Sequence, residues 1–455
     1  MVDRSAALAD RFGTPSASVD QHLASSAKSL VPYNTLIYCC YNHLLWSFFL
    51  TPRTPIMVQI KPFAVEQWMD KYETTAKYNI AETCAASVSI NELRELSEDK
   101  NAEIIDLSTV MNYGDIRGSE KLRENLARLY SSRSSNPLPK DNILIQPGAI
   151  SSNALVLYSL VGPGDHVICH YPTYQQLYDY PVSLGAEVEL WKATPEKQWE
   201  PDFEELKSMI KSNTKMIILN NPNNPSGAVL KKTLLQNIVE LAREKNIIIL
   251  SDEVYRPLFH GITPAENEFP PSILSMGYEN TICTGSLSKA YSLAGIRTGW
   301  IASRSRDIIE KCAEARDYTT ISVSILDQQV AAFALDQNCI HSLLGRNIAL
   351  ARTNLELLER FVTKHDEYCT WVKPVAGTTA FIKFSRDGQP VDARELCKQL
   401  QEKVGVMFLP GDCFGEEFKG YVRIGYVNRT EIIKEGLEQA RLFMRKEFDD
   451  IPLAS

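Results

Sequence analysis

The amino-acid sequence predicts an α/β fold: an open, mostly parallel sheet covered by helices on both faces, followed by a smaller α+β unit. Three observations carry that expectation. Short β-rich runs alternate with helical patterns through the middle of the chain, two of those runs are continuously aliphatic, and the rhythm changes beyond residue 330.

Taken in order, Asn142–Gln146 reads as a strand and Ser151–Leu160 as the helix after it. Asp165–Cys169 and Ala186–Leu190 are further strands. Lys215–Leu219 and Asn246–Leu250 are unbroken apolar runs, the pattern of strands buried on both faces of a parallel sheet. Helical patterns at about 231–245 and 305–316 separate such runs, which gives the βαβα alternation of an open sheet. The later part reads as a long helix over about 327–365, a strand at Thr378–Phe384, a helix near 392–403, a strand at Tyr421–Tyr426 and a final helix. Residues 57–100 are too few to hold a core alone and are expected to pack with that later unit. The expected organisation is therefore an extension at 1–56, the N-terminal part of a small domain at 57–100, a large domain at 101–326 and the rest of the small domain at 327–455.

Composition bounds the function. The chain has 455 residues, 44% of them hydrophobic, and a formal net charge of −8, which argues against general affinity for nucleic acid. The ten cysteines are scattered without a CxxC pair or a metal-like cluster with histidine. They read as reduced thiols of a cytoplasmic protein, with neither a disulfide framework nor a metal site. Residues 1–30 are rich in Ser and Ala, and Leu36–Leu50 is an apolar run interrupted by Asn42, His43 and Ser47. Fifteen residues are short for a bilayer span, so a weak membrane-associating segment, a poorly ordered extension and a stretch upstream of a start at Met57 all remain open. The last two are favoured, and no stable membrane insertion is expected.

Ligands of open α/β sheets bind where strands end, so polar residues just past the strands are the candidates for chemistry. Gly148–Ser151 opens a helix whose backbone N–H groups either hold a phosphate or are simply capped. Asn220–Gly227 follows an aliphatic strand and is either a turn or a site-forming loop. Asp252, directly after another such run, either caps the next element or pairs with a buried cation, and Tyr255 stands three positions on. Lys289 sits among small and hydroxylic residues with Arg297 eight positions later. A desolvated lysine near a second cation has a lowered pKa and can form Schiff bases. Arg423 interrupts an apolar strand, either as a snorkelling edge residue or as a clamp for a carboxylate.

The segment Ser286–Gly299, Ser-x-Ser-Lys-x5-Gly-x-Arg-x-Gly, resembles the lysine motif of class I/II aminotransferases, the fold-type-I pyridoxal-phosphate enzymes. So does the ordered set of Asn224 to Gly227, Asp252 with Tyr255, and Arg423, and the resemblance runs from about residue 60 to 446. It implies a mixed, mostly parallel seven-stranded sheet and pyridoxal 5′-phosphate as cofactor. It further implies that Lys289 holds the cofactor as an aldimine and then moves a proton at the substrate α-carbon. Asp252 would face the pyridine nitrogen, Asn224 and Tyr255 the 3-oxygen, and Tyr174 the ring face. Ser286, Arg297 and the N–H groups of Ala149 and Ile150 would hold the phosphate, with Tyr113 reaching the cofactor of a neighbouring subunit in a homodimer. Arg423 would bind the α-carboxylate.

One stretch departs from the ordinary pattern. Tyr78–Cys84 resembles the corresponding segment of 1-aminocyclopropane-1-carboxylate synthases and capreomycidine-synthase-like proteins, which implies that Glu82 meets the substrate side chain. The substrates implied are an amino acid and a 2-oxo acid. Transamination is favoured because every residue needed for the proton shift is present, with elimination or cyclisation as the alternative. A non-catalytic relative is disfavoured by the retention of Lys289, Asp252 and Arg423. No second arginine is placed to claim a dicarboxylate.

Overall fold

The computed structural model describes residues 60–131 and 136–455, which lie in a compact unit spanning Val58–Ser455. The expectations for residues 1–56, the apolar run included, fall outside the described residues. Among the described residues no helix is long and apolar enough to cross a membrane.

The chain begins with α1 (Ala64–Tyr72), β1 (Tyr78–Asn79), α2 (Ile90–Glu95) and α3 (Glu120–Ser131). It continues through β2 (Ile143–Gln146), α4 (Gly148–Leu160), β3 (His166–Tyr171), α5 (Gln176–Ser183), β4 (Glu187–Lys192) and α6 (Phe203–Met209). Next come β5 (Thr214–Asn220), α7 (Lys232–Lys245), β6 (Ile248–Asp252), β7 (Thr281–Ser286), β8 (Gly299–Ser303) and α8 (Arg306–Arg316). Strands β2 to β8 form a seven-stranded sheet in the order β2-β8-β7-β6-β5-β3-β4. Neighbours from β7 to β4 are parallel, and β8 runs antiparallel to both β7 and β2.

Both faces of this sheet are covered, and alternation along the strands decides which residue goes where. Ile217, Leu219 and Ile249 join a core with Leu235 and Ile238 of α7. Met216, Ile218 and Leu250 join a different core with Val156 and Leu157 of α4 and Ile309 of α8. With no face left to water, an unbroken aliphatic run is what such a strand requires.

The remainder comprises α9 (Ile325–Ala334), α10 (Gln337–Lys364), β9 (Cys369–Trp371), β10 (Thr379–Arg386), β11 (Gln389–Pro390) and α11 (Ala393–Val404). It closes with β12 (Val406–Met407), β13 (Leu409–Pro410), β14 (Tyr421–Gly425) and α12 (Thr430–Glu447). An antiparallel sheet, β11-β10-β14-β13 with β9 beside β10, forms here. The N-terminal elements close on it: β1 pairs in parallel with β12, and the Trp68 indole donates to the Phe408 carbonyl at 2.9 Å. Leu93 of α2, by contrast, is buried among residues beneath the large sheet.

Two expectations needed adjustment. The long helix over 327–365 is two helices, parted at Leu335 and Asp336, because the Asp336 side chain caps α10 by accepting from the Asn338 amide at 3.2 Å. The helix expected from Ser151 starts at Gly148. Strands β7 and β8 escaped the strand reading because Thr-Gly-Ser residues dominate the segment, yet every residue of β7 is buried.

Candidate active site

The parallel strands all end at one edge, and their register assembles the site. Asn220 lies beside Asp252, and Asp252 beside Thr284. Gln146 and Ser286 both stand opposite Gly299. A cleft of about 350 Å³ opens there. It is lined by Glu82, Ala149, Ile150, Tyr174, Asn224, Asp252, Tyr255, Ser286, Lys289, Arg297 and Arg423. Tyr113 is the one expected site residue that does not line it, and it is 69% exposed.

At one end of the cleft, α4 begins at Gly148 behind Pro147, with no side-chain cap and no acidic residue in its first turn. The opening N–H groups of a helix have no partner within it, and those of Ala149 and Ile150 lie on the cleft wall without a side-chain cap. A side-chain cap, one of the two readings of Gly148–Ser151, is absent. Gly148 has φ +86°, and a Cβ there would come within 2.8 Å of the Arg297 guanidinium. A Cβ on Gly299 would meet the Gly148 carbonyl carbon at 2.5 Å and the Gly285 oxygen at 2.7 Å. The two glycines therefore let α4, β7 and Arg297 converge on one small space edged by Ser286 and Ser288. Arg297 reaches the Ala294 carbonyl at 2.9 Å and has no carboxylate partner among the described residues.

Asp252 is 4% exposed. It accepts from Asn153 Nδ2 at 2.9 Å and from the Val254 amide at 3.1 Å, and Asn153 is fixed in turn by the Thr284 hydroxyl at 2.6 Å. Burial pushes its carboxyl up to about 6, against the pull of those donors. Asn153 was missed by sequence reasoning, because after Ser151 and Ser152 it reads as one more polar residue in the first turns of α4.

Lys289 Nζ lies 2.6 Å from the Thr83 hydroxyl, 3.5 Å from Cys84 Sγ and 3.7 Å from Glu82 Oε1. The expectation of a lysine made less basic by a neighbouring cation is not met. Burial works in that direction, but the acidic groups Cys84 and Glu82 more than reverse it, and the amine sits above the ordinary lysine value. Burial pushes the Cys84 thiol up to about 11, so it is neutral near pH 7 and Glu82 is the operative partner. Burial works to raise the Glu82 pKa, yet the Lys289 ammonium and the donors of Cys84 and Thr83 hold it at about 2. Thr83 and Cys84 had not been singled out, though they directly follow Glu82.

Arg423 projects from β14 and is 3% exposed. It donates to the Ala81 carbonyl at 2.9 Å and to Asn224 Oδ1 at 3.3 Å, while its buried Nε has no partner. Among the described residues no carboxylate pairs with it, so a buried guanidinium faces the cleft with its charge unmatched. Tyr255, 2% exposed, has its phenol pushed up by burial against the opposing influence of Lys289 and Arg423. Tyr174 directs its hydroxyl to Glu66 Oε1 at 2.9 Å, which ties α1 to the cleft.

A family model described as aminotransferase class I and II matches residues 87–438. The chain belongs to this family. Proteins similar to it include an aspartate aminotransferase from Thermotoga maritima, 26% identical over 73% of this chain and 84% of that one. A capreomycidine synthase from Streptomyces vinaceus is 27% identical over 82% of this chain and 91% of its own length. The solved structure of a PLP-dependent aminotransferase from Streptococcus suis superposes with a TM-score of 0.77 at 38% identity, covering 85% of this chain and 98% of that one. The protein is accordingly a fold-type-I enzyme of the PLP-dependent aminotransferase family, and pyridoxal 5′-phosphate is its cofactor.

Proposed function

We propose that this enzyme moves the α-amino group of an amino acid to a 2-oxo acid, using Lys289 as its proton-transferring amine. The observation that carries the reading is Arg423, a buried guanidinium without an acidic partner on the cleft that also holds Lys289. A substrate α-carboxylate is the charge it lacks.

The residues present fit the cofactor. Asp252 is a buried carboxylate with no cationic partner among the described residues, which suits a ring nitrogen that carries a proton. The bare start of α4, Ser286 and Arg297 suit a phosphate. Tyr174 lies on the cleft wall to cover a ring face, while Asn224 and Tyr255 offer a hydrogen bond to a ring oxygen. When bound, the cofactor supplies an electron sink for the bond broken at the substrate α-carbon.

In this arrangement Arg423 fixes the substrate by its carboxylate, and Asn224 holds the guanidinium in place. Lys289 then takes the α-proton at Nζ. Taking that proton turns the amine into an ammonium, and the Glu82 carboxylate, 3.7 Å from Nζ, is the charge that steadies it there. The reading also includes a homodimer. Leu107, Val110, Met111, Tyr113 and Tyr318 are exposed, and the first four belong to a segment tied to α9 by Gln329 Nε2 donating to the Thr109 hydroxyl at 2.9 Å. A second copy covering this patch would bring Tyr113 toward its neighbour's site. A cytoplasmic location belongs to the same reading.

A second reading, elimination or cyclisation, is favoured by Glu82 beside Lys289 and by the similarity to a capreomycidine synthase. Product analysis separates the two: with a single amino donor, transamination leaves the cofactor as pyridoxamine phosphate, whereas elimination or cyclisation returns it as pyridoxal phosphate. Arg423→Ala is expected to weaken amino-acid binding by about 2–5 kcal/mol in a spectral titration. Unchanged binding would remove the observation on which the proposal stands.

A further inference from the structure

Helix α1 contributes Val65, Glu66 and Met69 to the cleft, and Glu73 follows at its C-terminal end. Glu66, Met69 and Glu73 are spaced three and four apart, so they share one helix face, with a carboxylate at each end and a thioether between. Among the described residues neither Glu66 nor Glu73 has a cationic partner; Glu66 accepts only the Tyr174 hydroxyl.

The charges on the cleft wall can be assigned one by one. The cations are Lys289, Arg297 and Arg423, and the carboxylates are Glu66, Glu73, Glu82 and Asp252. Asp252, Arg297 and Lys289 are taken by the cofactor, and Arg423 by the α-carboxylate of the substrate. No cation is then left for a second carboxylate; Glu82 loses its partner as Lys289 is taken, and Glu66 and Glu73 stand unneutralised. Lining of one sign in a cleft concentrates the opposite charge.

We propose that the amino acid taken by this cleft carries a cationic group on an aliphatic side chain, its methylenes lying along Met69 and its charge held by Glu66 and Glu73. This deepens the proposed function and rests on its placement of the α-carboxylate at Arg423. A dicarboxylic amino acid would meet two carboxylates with nothing to offset them.

The test uses the holoenzyme with L-lysine, L-arginine, L-norleucine and L-aspartate. The absorbance of the bound cofactor gives kcat/KM in the half-reaction, and calorimetry gives Kd. Lysine or arginine should exceed norleucine by about tenfold or more, with aspartate weakest. In the Glu66→Gln/Glu73→Gln double variant the lysine-to-norleucine ratio should fall by about tenfold, and glutamine keeps an acceptor for Tyr174. In the unaltered protein, added salt should weaken lysine binding more than norleucine binding. A preference for aspartate, a ratio near one, or a ratio indifferent to the double variant would overturn this inference alone. Failure of every amino acid to perturb the bound cofactor would overturn the proposed function and this inference with it.

Discussion

Asp252 is the residue whose titration the protein has moved into a useful range. Its carboxyl is raised by burial from 3.8 to about 6, so the folded apoprotein keeps its proton to higher pH than the unfolded chain does. Apoprotein stability should therefore fall as pH rises across that interval and level off above it. A protonated ring nitrogen needs the ionised carboxylate, so cofactor affinity should increase as pH rises through about 6. Fluorescence titration of the apoprotein between pH 5 and 8 measures this. The comparison with Asp252→Asn separates the aspartate from the cofactor's own ionisations, and an identical pH profile in that variant would contradict the assignment. Lys289→Ala should lower turnover by roughly a thousandfold or more while circular dichroism stays native, since the amine is partly exposed at a cleft and not part of the core. At this scale much was legible in the sequence: Asp252 follows an apolar strand run with Tyr255 three positions on, Arg423 interrupts one, and Lys289 stands out as a lone cation among small and hydroxylic residues. The acidic surroundings of Lys289 were not legible. They arise from Glu82, which lies more than two hundred residues away along the chain, and no local pattern reports such a contact.

Among the elements, the start of α4 does the most specific work. Its first turn lacks a side-chain cap, and the φ of +86° at Gly148 keeps space beside Arg297 open. Gly148→Ala places a Cβ 2.8 Å from the guanidinium in a backbone region that disfavours it. Affinity for pyridoxal phosphate should fall by about tenfold or more, and affinity for pyridoxal, which has no phosphate, should change far less. Equal losses for both ligands would show that the glycine serves the fold alone. Strands β5 and β6 could be read in advance because unbroken aliphatic runs are a strong signal for a strand buried on both faces, and β2, β3 and β4 as shorter β-rich runs between helical patterns. Strands β7 and β8 could not, since their small and hydroxylic residues are dictated by close approach to α4 and Trp300, not by strand propensity. The break between α9 and α10 was written at Asp336, a good cap and a poor helix interior, but a continuous apolar period on either side concealed it.

The whole molecule places its two sheets so that Arg423 of β14 and Asp252 of β6 line one cleft, and α1 closes over it. That convergence joins residues from the first described helix to the last strand, and no local pattern in the sequence reports such proximity. The exposed patch around Leu107, Val110 and Tyr113 extends the argument beyond one chain. If a second copy covers it, Lys289→Ala and Tyr113→Phe, each impaired as a homodimer, should partly restore activity when co-refolded. Complementation assays on mixed dimers check this, and a monomer in sedimentation at full activity would contradict it.

The central claim is that Lys289 is the amine that bonds the cofactor, opposite the carboxylate of Asp252. Borohydride reduction of the holoenzyme, followed by peptide mapping by mass spectrometry, tests it most directly. The pyridoxyl group is expected on the peptide containing Lys289 and on no other. Its recovery on a different lysine, or its absence from a protein that retains bound cofactor, would contradict the account.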